Sequence, residues 1–201
     1  MRICRNVVAM LMVGIAFGNL LWLTSASRAD PATGPTNLLV NGSFEQVGDQ
    51  PDQAAGWFRW GDWINREDSW TPTHDGKALI GYHHWQIEKP DDSGMWQDVP
   101  AVAGKTYEFS IFVQHDDPGT AHGADNIQIA LESPGSDPPK TIKLVKTQIE
   151  DLATGTNWTR LSVRGDATAN SIRVLIRIVP AADEPRGGAV KLDDASLVLV
   201  G

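Results

Sequence analysis

Cys4 is the only cysteine among the 201 residues, and it lies at the very start of the chain. A disulfide framework and thiolate-held zinc are therefore excluded, so the fold must rest on packing, with or without a hard cation. Positive charge is also short: 17 Lys and Arg stand against 25 Asp and Glu, a net charge of −8. No basic stripe exists to neutralise phosphates, which excludes nucleic-acid binding. No segment carries an apolar stripe at helical spacing, and no internal repeat is present. A Gly-x-Ser-x-Gly elbow and a His-Glu-x-x-His pair are both missing, so neither a serine hydrolase nor a zincin is indicated.

What is there begins with a targeting signal. Arg2 and Arg5 precede a largely apolar run from Val7 to Leu23, and Ser27-Arg28-Ala29 places small residues where a signal peptidase reads. Residues 1–29 are thus expected to be a signal peptide cleaved after Ala29, with 30–36 a short linker. The rival is a retained anchor, since the run is nearly long enough to span a bilayer. Gly14, Gly18 and Asn19 interrupt it, which favours cleavage. Loss of Arg2, Arg5 and Arg28 takes the net charge from −8 to about −11, leaving roughly 170 residues, enough for one self-sufficient core. The protein is expected in the periplasm or outside the cell, off the membrane once cleaved, and monomeric.

Period-two patterning dominates those residues. Tyr107, Phe109, Ile111 and Val113 alternate with Glu108, Ser110 and Phe112, and Ile172 to Ile178 alternates with Arg173 and Arg177 facing out. Ile127–Leu131 and Leu161–Val163 repeat the pattern, and Gly104-Lys105, Pro118-Gly119, Pro134-Gly135, Thr154-Gly155 and Gly187-Gly188 punctuate it as turns. Eight to ten short strands of this kind predict an all-β fold: a two-sheet antiparallel β-sandwich of jelly-roll type.

Six of the eight tryptophans fall between Gly56 and Trp96, among polar residues. Gly56-Trp57-Phe58-Arg59-Trp60-Gly61-Asp62-Trp63 reads as a loop rich in flat aromatic surface. Sugar rings present an apolar C–H face to an indole while nearby polar side chains bond their hydroxyls. Trp60, Trp63, Trp70 and Trp85 are the candidate platforms, and His83, Gln114 and His115 the candidate hydroxyl partners. A tryptophan cluster can equally be a satellite core; Trp57 and Trp158 are expected to be structural. The acid pairs Glu67-Asp68, Asp91-Asp92, Asp116-Asp117 and Glu150-Asp151 read as solvated loop charges, with Asp116 or Asp117 the candidate should a glycosidase carboxyl exist.

The two ends of the mature chain answer each other. Asn37-Leu38-Leu39-Val40-Asn41-Gly42-Ser43-Phe44-Glu45 is an apolar strand, a turn and an acid; Gly188 to Leu197 is a strand with paired acids, Asp193 and Asp194. With Gln97-Asp98-Val99-Pro100 and Gly104-Lys105-Thr106-Tyr107 between them, this pattern resembles the galactose-binding-like sandwich of carbohydrate-binding modules of the family 4, 9 and 22 type, as appended to bacterial xylanases and β-glucanases. The resemblance covers nearly everything after residue 36. It implies a non-catalytic module for a β-glucan, a xylan or a cell-surface glycan. It also implies a structural calcium near the terminal strands. Glu45 and Asp193 would hold it, Asp194 less so, with Asn41 and the Asp75-Gly76-Lys77-Ala78-Leu79 segment, Lys77 included, completing the shell. Two alternatives stay open: a structural or adhesive extracellular domain, and a glycan-active hydrolase or lyase.

Overall fold

The computed structural model describes residues 35–84, 92–116, 124–180 and 189–201, all within a compact unit spanning Gly34–Gly201. The expected signal peptide and linker up to residue 34, Trp85, Asp91, Asp117 and the Pro118-Gly119 and Gly187-Gly188 turns lie outside the described residues. Among the described residues no helix is long and apolar enough to cross a membrane.

Alternation is the cause of the architecture. Among the described residues ten strands form: β1 (Phe58–Trp60), β2 (Ile64–Glu67), β3 (Leu79–Tyr82), β4 (Ser93–Pro100), β5 (Thr106–His115), β6 (Ala124–Ser133), β7 (Lys140–Gln148), β8 (Thr159–Asp166), β9 (Ser171–Pro180) and β10 (Val190–Leu199). They make two antiparallel five-stranded sheets, ordered β1-β4-β9-β6-β7 and β2-β3-β10-β5-β8. Ile172, Val174, Ile176 and Ile178 of β9 meet Phe109, Ile111 and Val113 of β5 in one core, all fully buried. Each such side chain contributes roughly 1.5–3 kcal/mol of burial, so slipping either strand by one residue would forfeit most of the core. Trp57 is in that core as expected, tilted against Phe44 with ring centroids 5.4 Å apart.

Three expectations need correcting. The Asn37–Glu45 segment lies beside β10 as foreseen, yet it is not a strand. Leu38 N donates to Leu197 O (2.8 Å), Ala195 N to Gly42 O (2.8 Å), and the Asn37 amide clamps Ala195 O and Leu197 N. The positive φ of Asn41 (52°) and Phe44 (59°) coils it too tightly for a ladder. Second, the supposed aromatic loop at 56–63 contains β1 and leads directly into β2. Third, β7 escaped the sequence reading. Its residues are mostly exposed, and a bulge opposite Leu131/Glu132 breaks its alternation.

Candidate functional site

The outer face of the first sheet is set by register. Phe58 pairs with Trp96, Trp96 with Leu175, Leu175 with Ala130, and Ala130 with Leu144, giving an apolar row across all five strands. At a strand spacing of about 4.8 Å that row is about 19 Å long. Phe58 is 59% exposed and stacks on Trp96 with centroids 4.4 Å apart and planes 14° from parallel. On its other side Trp96 carries the Arg173 guanidinium, 3.6 Å from the ring centroid. Trp60 lies alongside on Gly94, where any Cβ would collide with the indole.

Polar rows flank the apolar one. Arg173 grips Asp98 in a fork, Nε to Oδ1 at 2.7 Å and Nη2 to Oδ2 at 2.9 Å. Arg177 holds Asp92 in the same way. Gln128 pairs with Arg177, and Lys146 with Gln128. Glu132, next to Arg173, is pushed up by burial, which outweighs the attraction of that guanidinium. The face thus combines exposed aromatic surface with donors and acceptors already fixed in orientation.

The second sheet's outer face is different, because residues 68–78 fold across it. Buried Lys191 donates from Nζ to Thr71 O and pairs with Asp116 Oδ1, both at 2.6 Å. His74 stacks on Phe112 at 3.7 Å, and its Nδ1 meets Asp194 Oδ2 at 2.6 Å. Fully buried Asp193 accepts from the amides of His74 (2.9 Å) and Asp75 (3.3 Å), while Glu45 Oε1 accepts from Lys77 N (2.8 Å) and Ala78 N (3.0 Å). At the sheet edge, beside Trp70, an open cleft of about 330 Å³ is lined by Asp62, Trp63, Asn65, Glu67, Trp70, Gly81 and His83.

The candidate ligand residues are therefore divided. Trp60 belongs to the first face; Trp63, Trp70 and His83 share the cleft on the other side. Gln114 and His115 are corrections: both are buried, at 0% and 4% exposure. Gln114 Nε2 instead holds the carbonyls of Gly155 (2.7 Å) and Asn157 (3.1 Å), fixing a turn rather than facing solvent. Asp92 and Asp116, read as solvated, are ion-paired. Phe58, Trp96, Arg173 and Arg177 were not singled out as site residues. Their signal was present, since Phe58 and Trp60, like Trp96 and Asp98, sit two apart on one strand face.

The expected metal residues fit a hard cation in their chemistry. Glu45 and Asp193 grip the same five-residue stretch, 74–78, from opposite ends. Burial first, then the neighbouring Asp194 carboxylate, push Asp193 up to about 7, and no cationic side chain among the described residues pairs with it. A bound cation would supply that missing charge. Among the described residues no three His, Asp or Glu side chains converge, so backbone and water oxygens would fill the remaining positions. Asn41 is a further correction. Its side chain is committed to Gln46 and Ala55, and its carbonyl to Phe44 N and Trp57 Nε1. Lys77 is corrected too: its amide N–H donates to Glu45 Oε1 and cannot ligate a cation, so only its carbonyl could join a shell.

No family model and no curated protein matches the chain. Solved structures do. TmCBM61 in complex with β-1,4-galactotriose superposes with a TM-score of 0.57 at 17% identity, over 82% of this chain and 99% of that one. The chain shares its two-sheet β-sandwich fold with that carbohydrate-binding module. The CBM22-1 xylan-binding domain of Paenibacillus barcinonensis Xyn10C gives 0.52 at 17% identity, over 85% and 98%. A Stig cyclase, Fisc from Fischerella sp. TAU, gives 0.59 at 11% identity, over 83% and 98%. At these identities the likeness speaks for the fold, and because the same sandwich also carries a cyclase, function has to be argued from the site.

Proposed function

We propose that this chain is a secreted, non-catalytic module that binds a β-glucan- or xylan-type polysaccharide along the outer face of the β1-β4-β9-β6-β7 sheet. The observation that carries the reading is the row of Phe58 and Trp96 beside Trp60, flanked by the Arg173–Asp98 and Arg177–Asp92 pairs. Flat apolar surface takes the C–H face of successive pyranoses, and the oriented guanidiniums and amides take their hydroxyls. The row runs about 19 Å, with Phe58 and Leu144 exposed at its ends, Trp96 and Leu175 partly so, and Ala130 buried between its neighbours, a length that suits several successive residues of a chain better than one sugar. A binding role is favoured over hydrolysis here because Asp92 and Asp98 are locked onto arginines, which leaves Glu132 as an acid with no unpaired carboxylate of these described rows opposite it. Glycosidase chemistry needs one carboxyl to ionise as base or nucleophile while another donates a proton across the same cleft.

One calcium ion beside Glu45 and Asp193 belongs to the same proposal. When bound, it would neutralise buried Asp193 and tie the N-terminal segment, residues 74–78 and β10 together. Its role would be to hold the fold, remote from chemistry.

Affinity electrophoresis of the mature chain in gels containing soluble β-glucan or xylan tests the ligand reading. Retardation by one of them, weakened by Phe58→Ala without release of reducing sugar, is the expected result. Absence of retardation by any glucan or xylan would remove this function and leave the structural or adhesive alternative.

A further inference from the structure

The cleft beside Trp70 has a chemistry that the polysaccharide face lacks. Its floor is Gly81, where a Cβ would come within 2.9 Å of the Trp70 ring and 3.1 Å of Glu67 Cγ, so both side chains rest directly on bare backbone. Trp63 and His83 complete the aromatic surround, with the Trp70 and His83 rings in a T-shaped contact at 5.8 Å between centroids. The acid in this cleft is poorly balanced. Arg59 is held by Asp52 and Asn65, and Arg66 by Asp68 and the carbonyls of Phe44 and Glu45. Glu67 is left half-buried with no ion pair among the described residues. Burial, then Asp68 and Asp52, push its pKa up, outweighing the smaller opposite pull of Arg66.

We propose that this cleft is a second, independent site, binding a pyranose that carries a protonated amine, such as a glucosamine unit of a deacetylated glycan. The ammonium would sit at Glu67, with the sugar ring against Trp70. Three features select that ligand. A cation entering beside Glu67 compensates a desolvated carboxylate, whereas a neutral sugar desolvates it further and a uronic acid is repelled. Indole faces also attract cations through their quadrupole. Finally, about 330 Å³ lies at the lower end of small-molecule clefts, a size for one or two rings rather than a long chain.

The test is calorimetric titration of the mature chain with the deacetylated chitosan trimer, the N-acetylated trimer, cellotriose and free lysine. The deacetylated trimer should bind about tenfold or more tighter than either neutral trimer, which corresponds to one close charge contact. Added salt should shrink that advantage. Glu67→Gln should abolish the preference with the melting curve unchanged, and Trp70→Ala should weaken the deacetylated trimer while melting somewhat earlier because its indole also covers Gly81; retardation by β-glucan or xylan should persist in both. Equal affinity for the three trimers, a preference that survives Glu67→Gln, or lysine binding as tightly as the amino sugar would each overturn the proposal. Phe58→Ala separates the two sites: it should leave amino-sugar binding intact, so the failure of either reading is visible without the other.

Discussion

The two outer faces of the sandwich have the same strand count and opposite treatments. On the β1-β4-β9-β6-β7 face the described residues cover the backbone with side chains, and its arginines pair with acids of the same face. On the β2-β3-β10-β5-β8 face a loop lies across the sheet, held by Lys191, Asp193 and Glu45 through main-chain groups. The difference teaches what each surface is for. Charges that point at a neighbouring side chain leave an open, pre-oriented platform, while charges that point at backbone amides and carbonyls fix a cover. The cover closes the sheet to a long chain and creates a small cleft at its margin.

Breaking the cover should have the largest effect. Lys191 is 1% exposed and links Thr71 O to Asp116. Lys191→Met keeps much of the volume but strands Asp116 and the Thr71 carbonyl, and should cost about 2–3 kcal/mol, less than a fully buried pair because Asp116 remains partly solvated. Urea titration measures that loss. The same variant should lose amino-sugar binding in the cleft while β-glucan or xylan retardation persists. If both activities vanish together at a temperature where the variant is folded, the faces are not separable.

Calcium is the next largest. A cation that binds the folded state alone stabilises by mass action, about 2.7 kcal/mol at a hundredfold excess over its Kd. EDTA should lower the melting temperature, calcium should restore it, and magnesium should do so poorly because it keeps its waters. Asp193→Asn should be insensitive to both. A melting curve indifferent to EDTA in the wild type would remove the ion and leave backbone amides, those of residues 74–78 and of Asp194, as the described partners of those carboxylates.

How much of this was legible in the sequence follows from where each signal is local. Alternation in β5 and β9 is a one-strand property, so those strands, their inward residues and the outward Arg173 and Arg177 could be read directly. Burial of Gln114 and His115 is not local. It depends on the turn at 154–158 returning over the end of β5, which no spacing within β5 reveals. The aromatic row failed for a related reason. Phe58 and Trp96 are 38 positions apart and meet only through the β1–β4 register. Counting tryptophans in a segment therefore merged residues that the sandwich assigns to opposite faces. The ion-paired Asp92 and Asp116 looked solvated because their partners, Arg177 and Lys191, lie far along the chain.

The platform itself should show a medium effect on binding and almost none on stability. Phe58 is exposed on an edge strand, so Phe58→Ala removes ligand-stacking area and little core. Losing one stacked ring should cost about 1–1.5 kcal/mol, roughly tenfold in Kd. Trp60→Ala should behave similarly, though with some destabilisation because the indole also covers Gly94. Full affinity in both variants would shift the ligand off this face.

The smallest effect sharpens the contrast between pairs that serve a ligand and pairs that serve the fold. Glu108 lies on the second face at the end that the loop leaves bare, where it holds Arg160 at 2.7 Å and also Arg164. The hydrogen bonds from Arg160 and then Arg164 lower its pKa. A lowered carboxyl pKa stabilises the fold at pH values above that of the unfolded chain, about 4.3, and the benefit is lost as pH falls through the folded value. Both arginines are largely solvated, so the contribution should be below about 1 kcal/mol. Glu108→Gln should therefore melt slightly lower than wild type at pH 7, and the gap should close as the pH is taken toward 3. Binding of either sugar should not change. A gap that stays constant down to pH 3 would mean that the stabilisation comes from packing of the Glu108 stem rather than from its charge.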